Sequence, residues 1–168
     1  MNMATKPLVA VEEYLRMSFE GPDPEFLDGE LLERNLGDDP HSSTQANLIG
    51  VFHPLKKKFR IQVRPEIHMR LAATRIRIAD LAVFLEKPAV RIPSSPPYVV
   101  VEIVSSGDRL CEIRDKLEEY HWWGIKHIWL ADPVARTFWI FDSNGLHDVA
   151  ALELPEFELT VEKSEIFE

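Results

Sequence analysis

Apolar positions along this chain change period several times, and each change marks a predicted element. Val11 to Ser18 reads as a short helix, and Glu25 to Arg34 reads as a hairpin turning at Asp28-Gly29, a dipeptide that tolerates positive φ. Leu48, Phe52, Leu55 and Phe59 recur at spacings of four, three and four, which predicts a helix over 42–59 that Pro54 should weaken. The period then drops to two. Ile61, Val63, Ile67, Met69 and Leu71 share one parity, so Ile61 to Leu71 reads as a half-buried strand, joined through Ala72-Ala73-Thr74 to a second strand over Arg75 to Leu85. Four prolines make Lys87 to Pro97 a loop, after which Tyr98 to Val104 is almost continuously β-branched, as a strand covered on both faces should be. From Asp108 to Trp123 the pattern is helical again, with Leu110, Ile113, Leu117 and Tyr120 as its stripe, Asp108 as N-cap and Gly124 as C-cap. Lys126 to Ala131 returns to strand, Asp132-Pro133 turns into Arg136 to Phe141, and Ser143-Asn144-Gly145 turns into a last strand. The order predicts an α/β fold: a mixed sheet with helices packed on it and hairpins added at both ends.

Composition narrows the function more than the fold. With 168 residues and 45% hydrophobic content, the chain suits a single domain spanning 1–168, its core at about 41–131. No apolar run approaches a membrane span and the first ten residues lack a secretory pattern, so a soluble, cytoplasmic protein is expected. One cysteine, Cys111, excludes disulfide scaffolds and thiolate metal clusters. The six histidines lack metal-ligand spacing and the seven glycines form no phosphate loop. A net charge of -9 argues against nonspecific coating of nucleic acid, yet Lys56 to Arg77 carries eight Lys or Arg residues against the single acid Glu66. That stretch is either a phosphate-facing patch or an ordinary solvated surface. The four tryptophans, Trp122, Trp123, Trp129 and Trp139, read as core or interface packing.

Two carboxylates stand out against this background. Strand parity places Asp80 with Ile76, Ile78, Ala82 and Phe84, and Glu102 with Tyr98, Val100 and Val104, so each is set among apolar neighbours. A buried carboxylate costs several kcal/mol unless a cation or hydrogen bonds compensate it. If the strands are neighbours, a divalent ion such as Mg2+ or Mn2+ would compensate both, since hard cations take oxygen ligands. The competing reading pairs each with a buried arginine, Arg75 or Arg77 serving Asp80. Lys116, beside the stripe of the following helix, could reach the strand ends. Ser105-Ser106-Gly107-Asp108 leads into that helix and suits either an anion or a plain capping turn.

Taken together, Pro24-Glu25-Phe26-Leu27-Asp28-Gly29-Glu30-Leu31, His41 opening a helix, Arg77-Ile78-Ala79-Asp80, Val101-Glu102-Ile103-Val104-Ser105, Asp115-Lys116-Leu117, Tyr120, Gly124, Trp129 and Asp132-Pro133 resemble the Uma-type restriction-endonuclease-like family across almost the whole chain. The resemblance implies the PD-(D/E)xK nuclease fold with its αβββαβ core, metal-dependent phosphodiester cleavage with DNA as substrate, and a homodimer. It assigns Asp80 and Glu102 as metal ligands and catalytic residues. The superfamily pattern puts its lysine two residues after the glutamate, where this chain has Val104, and the resemblance passes that role to Lys116. Ile78-Ala79 also stands where the family usually has arginine and proline. Glu25 or Glu30 would supply a further ligand, and His41 would approach the site or cap its helix. The alternative is a catalytically inactive nuclease-fold protein serving as an interaction or nucleic-acid-binding module.

Overall fold

Asp28 and Gly29 adopt φ of 51° and 94°, the paired positive values that a two-residue hairpin turn of the primed type needs. In the computed structural model, which describes residues 8–167, α1 (Val11–Tyr14) precedes this hairpin. Its strands are β1 (Glu25–Leu27) and β2 (Glu30–Leu32). Asp38 then accepts a 3.1 Å hydrogen bond from the His41 amide, and Pro40 sits in the first turn of α2 (Asp39–Phe52). Pro54 ends that helix, so the single helix expected over 42–59 divides, and α3 (Leu55–Phe59) follows. Leu48 and Phe52 are fully buried, whereas Leu55 and Phe59 pack only at the margin.

Next come β3 (Gln62–Ala72), β4 (Arg75–Phe84), β5 (Val99–Ile103), α4 (Leu110–Trp123) and β6 (His127–Asp132). With α2 they give the expected order of helix, three strands, helix, strand. β7 (Thr137–Asp142) and β8 (Gly145–Val149) extend the sheet to eight strands in the order β2-β1-β4-β5-β6-β7-β8, with β3 on the other side of β4. Among the described strands only β5 and β6 run parallel, and α4 is their crossover. The rest of the chain exceeds the one last strand expected. β9 (Ala151–Leu154), a 3-10 turn at Pro155–Phe157, β10 (Leu159–Glu162) and α5 (Lys163–Ile166) form a small second sheet and a helix. Leu152, Leu154, Phe157, Val161 and Ile166 from this segment complete the core on the α2 side.

The sheet therefore has apolar layers on both faces. Leu81, Val83, Val99, Val101 and Trp129 meet Leu48 and Phe52 of α2, while Ala82, Phe84, Val100, Ile128 and Leu130 meet Leu117 and Tyr120 of α4. Parity does not hold along the whole of β3. Ile61 and Val63 join the α2 side, but Ile67, Met69 and Leu71, of the same parity, join the α4 side. Between them Glu66 takes φ 47°, a left-handed conformation uncommon for a residue with a side chain. The pairs run Pro65↔Leu81 and then Ile67↔Ala79, with no pair at Glu66 and Asp80. β4 changes sides at the same place, since Ala79 packs toward α4 and Leu81 toward α2. Asp80 consequently faces the α2 side, not the face of Ala82 and Phe84 that parity assigns to it.

One edge of β4 is also discontinuous. β1 pairs with Arg75 and Ile76, β5 pairs with Leu81 to Val83, and neither pairs with residues 77–80. Continuing the Leu81↔Val101 register by one residue sets Asp80 opposite Glu102, where the two strands part. Backbone groups in that gap need partners from elsewhere.

Packing makes two contrasting substitutions informative. Phe52 is fully buried and stacks on Trp129 with ring centroids 6.0 Å apart, so Phe52→Ala should cost about 3–5 kcal/mol in urea unfolding. Leu110, which the sequence stripe includes, is 63% exposed, and Leu110→Ala should stay within about 0.5 kcal/mol of the parent.

Candidate functional site

The gap in β4 is filled by side chains. Glu25 accepts the Ile78 amide hydrogen bond at 2.9 Å through Oε1, and the Lys116 ammonium donates to the Ile78 carbonyl at 2.8 Å. Lys116 also donates to Glu102 Oε2 at 2.7 Å and lies 2.9 Å from Glu25 Oε1. Tyr120, one turn further along α4, donates its hydroxyl to Glu102 Oε1 at 2.8 Å. Behind Glu25, Arg77 donates to it at 2.6 Å and to both oxygens of Glu119 at 2.8 Å. Among the described residues no buried side-chain polar atom lacks a partner.

Asp80 is held from the α2 side. Its Oδ2 accepts from the Ile103 amide at 2.7 Å and lies 3.4 Å from His41 Nε2. Its Oδ1 accepts from Arg34 at 3.1 Å, while the other arm of the same guanidinium donates to Glu66 at 2.8 Å. Gln45 of α2 donates to the Asp80 carbonyl at 2.8 Å and to Glu66 at 3.0 Å. Asp80 is 4% and Glu102 7% exposed, so both carboxyl groups sit in surroundings of low dielectric constant.

Burial acts differently on the two acids. It raises the Glu102 carboxyl, Lys116 pulls it down, and the negative charges of Asp80 and Glu25 push it up again, to about 7. Burial also raises Asp80, but His41, Lys116 and the Ile103 amide outweigh it and hold that carboxyl below its usual range. Glu25 is likewise lowered, its burial offset by Lys116, Arg77 and the Ile78 amide. Burial alone would lower the Lys116 ammonium, yet Glu102, Glu25 and Asp80 raise it well above its ordinary value. Lys116 is therefore a fixed cation near neutral pH, and Glu102 is the group poised to exchange a proton.

These residues wall a cleft of about 350 Å³. Seven acidic and four Lys or Arg side chains line it, a formal net charge of -3 with every acid ionised, Glu102 included, and histidine neutral. The lining repels a polyanion and attracts a divalent cation. The donor set suits a hard cation: two carboxylates across a strand fork, opening on a polar cleft. Among the described residues, however, no three His, Cys, Asp or Glu side chains gather as a preformed metal cage. A magnesium-type ion held by one or two carboxylates, with waters completing its shell, is compatible with that arrangement.

The expected residues fall into two groups. Asp80, Glu102, Lys116 and His41 converge, and Glu25 joins them through Lys116. Glu30 is exposed and lines a neighbouring hollow with Leu31 instead of the cleft. Neither Arg75 nor Arg77 pairs with Asp80: Arg75 binds Asp28 and Glu119, and Arg77 binds Glu25 and Glu119. The basic stretch from Lys56 to Arg77 does not gather at the cleft either; of its eight cations only Arg77 lines it. Asp108 does not cap α4, whose N-cap is Arg109; it accepts from the Ser105 amide at 2.8 Å and from Asn35 at 2.6 Å. Of the tryptophans, Trp129 is buried, Trp123 and Trp139 pack partly against the α4-side core, and Trp122 is 85% exposed. Arg34, Gln45, Glu66, Glu119 and the Tyr120 hydroxyl escaped the sequence reading. Only Tyr120 left a signal there, as a polar-tipped member of an apolar stripe.

Comparison with known proteins follows the same lines. The family model Uma2, described as "Putative restriction endonuclease", matches residues 11–168. The fold is similar to the crystal structure of a putative nuclease belonging to DUF820 from Anabaena variabilis ATCC 29413, with a TM-score of 0.82 and 18% identity over 95% of this chain and 97% of that one. No curated protein matches the sequence.

Glu102 gives the site a pH signature. Its carboxyl is raised in the fold to about 7 from an ordinary value of 4.5, so its contribution to stability is complete below the unfolded value and is lost as pH rises through about 7. Thermal unfolding followed between about pH 5 and 8 should show that decline, and Glu102→Gln should flatten it.

Proposed function

Because the chain belongs to the Uma2 family, described as putative restriction endonucleases, we propose that it is a divalent-metal-dependent endonuclease hydrolysing phosphodiester bonds in DNA. One observation carries the finer part of this reading. Two carboxylates, Asp80 and Glu102, meet at a strand fork in a cleft of net charge -3, beside an ammonium that stays protonated. A cation bound in such a cleft would offset the repulsion that a phosphodiester meets there.

In this proposal Asp80 and Glu102 hold Mg2+ or Mn2+. Bound there, the ion supplies Lewis acidity toward the phosphate and lowers the pKa of a coordinated water. Glu102 must lose its proton to serve as a ligand, so metal affinity should rise as pH passes about 7. Lys116 orients Glu102 through its 2.7 Å contact and presents positive charge where negative charge develops on the phosphate. As a fixed cation it cannot act as the base that takes a proton from water. Tyr120 holds the other oxygen of Glu102 and fixes the carboxylate plane. Arg77 and Glu119 brace Glu25 behind the ammonium.

The second reading, a nuclease fold retained without catalysis, is favoured by the dispersal of Lys56 to Arg77 away from the cleft and by Val104 in the usual lysine position. A plasmid assay separates the two. With magnesium or manganese the parent chain should nick and cleave; Asp80→Ala and Glu102→Ala should abolish this, and Lys116→Ala should lower the rate on the order of 10²-fold. Equal behaviour of parent and variants would leave the non-catalytic reading standing.

A further inference from the structure

Arg34 occupies an unusual position. It lies in the irregular segment between β2 and α2, and its guanidinium spans two carboxylates, at 3.1 Å from Asp80 Oδ1 and 2.8 Å from Glu66 Oε2. The other Asp80 oxygen is committed to the fold by the Ile103 amide and His41. Oδ1 is thus the Asp80 oxygen left for a ligand, and Arg34 holds it. We propose that Arg34 is a resident cation of the carboxylate site, and that a divalent ion enters by displacing its guanidinium from Asp80 Oδ1 while Glu66 retains the arginine at the cleft wall.

The inference rests on the metal-dependent reading above and extends it. A guanidinium keeps its charge at every accessible pH, so Arg34 cannot leave Asp80 by losing a proton; another cation must replace it. A divalent ion on Oδ1 would stand beside the guanidinium in buried surroundings. Like charges repel more strongly there than at the more exposed Glu119 Oε1, which Arg75 and Arg77 share, so ion and arginine compete for the Asp80 oxygen. Glu66 is built to keep its end of the bridge. Its backbone is held at φ 47° opposite Asp80, and Gln45 binds its second oxygen at 3.0 Å. The two anchors differ in burial: the Glu66 side chain is 48% exposed and that of Asp80 6%. The Asp80 end lies where a metal would compensate charge best, and the Glu66 end lies where water can support a moved guanidinium. After exchange the cleft keeps a positive side chain for an anionic substrate.

Isothermal calorimetry with manganese chloride, at about pH 8 so that Glu102 is ionised, tests this on the whole chain. Arg34→Gln should bind Mn2+ roughly tenfold more tightly than the parent. Arg34→Lys, which lacks the fork needed to bridge both acids, should fall between them, and it decides the matter if the glutamine variant does not fold. Adding Asp80→Asn to either variant should remove the gain. Arginine variants that bind Mn2+ no better than the parent would overturn the exchange while leaving the metal site intact. Absence of Mn2+ binding in parent and variants alike would overturn the metal reading and the exchange with it.

Discussion

The arrangement depends on one buried ammonium. Lys116 stands among Glu102, Glu25 and the Ile78 carbonyl, and so ties α4 to β5, β1 and β4 at the point where the sheet is discontinuous. A charge removed from water is costly, and two carboxylates beside it would be costlier alone. Each makes the others tolerable: the carboxylates keep Lys116 charged, and Lys116 keeps Glu25 ionised. The same groups satisfy the Ile78 backbone, which no strand reaches along that edge. Fold and site are thus one electrostatic problem with one solution.

From that centre the charges run outward in alternating sign. Glu25 meets Arg77, Arg77 meets Glu119, and Glu119 meets Arg75, which binds Asp28 at the hairpin tip. The cations that looked like a phosphate patch in the sequence are partly consumed here. On the other flank Arg34 and His41 perform the same service for Asp80. Glu102 alone has a compensation that falls short, which is why burial and its two acidic neighbours leave it near 7. A site with one acid under-compensated in an acidic cleft is a site with room for one more positive charge.

Much of this was legible in the sequence, and what was not has identifiable causes. Period-two patterning located Asp80 and Glu102 because a lone carboxylate in a covered strand is anomalous wherever the strand lies. It misassigned the face of Asp80 because parity assumes an unbroken pleat, and Glu66 breaks it with a left-handed φ that no composition rule marks. Leu110 satisfied the helical stripe but falls in the first turn of α4, beyond the reach of the sheet. Arg34 and Gln45 are polar residues in polar surroundings, and their contacts with Asp80, 46 and 35 residues away, arise only when the fold brings α2 and the segment before it against β4. The β9–β10 sheet and α5 escaped for a related reason: short strands with acidic residues between their apolar positions carry little periodic signal beyond the one last strand expected, although Leu152, Val161 and Ile166 finish the core.

Val104 then acquires a structural explanation. A lysine at 104 would extend from the strand that carries Glu102 and bring one ammonium near that carboxylate, yet it would leave the gap in β4 to find other partners. Val104 instead packs beside the α4-side core, and its amide continues the ladder to Ala131 at 2.9 Å. Supplying the ammonium from α4 places it across the gap, where it meets Glu102, Glu25 and Ile78 together. Lys116 therefore has a structural duty along with its electrostatic one. The ammonium is held by the same contacts that close the sheet, so removing it would reopen the edge that Lys116 seals.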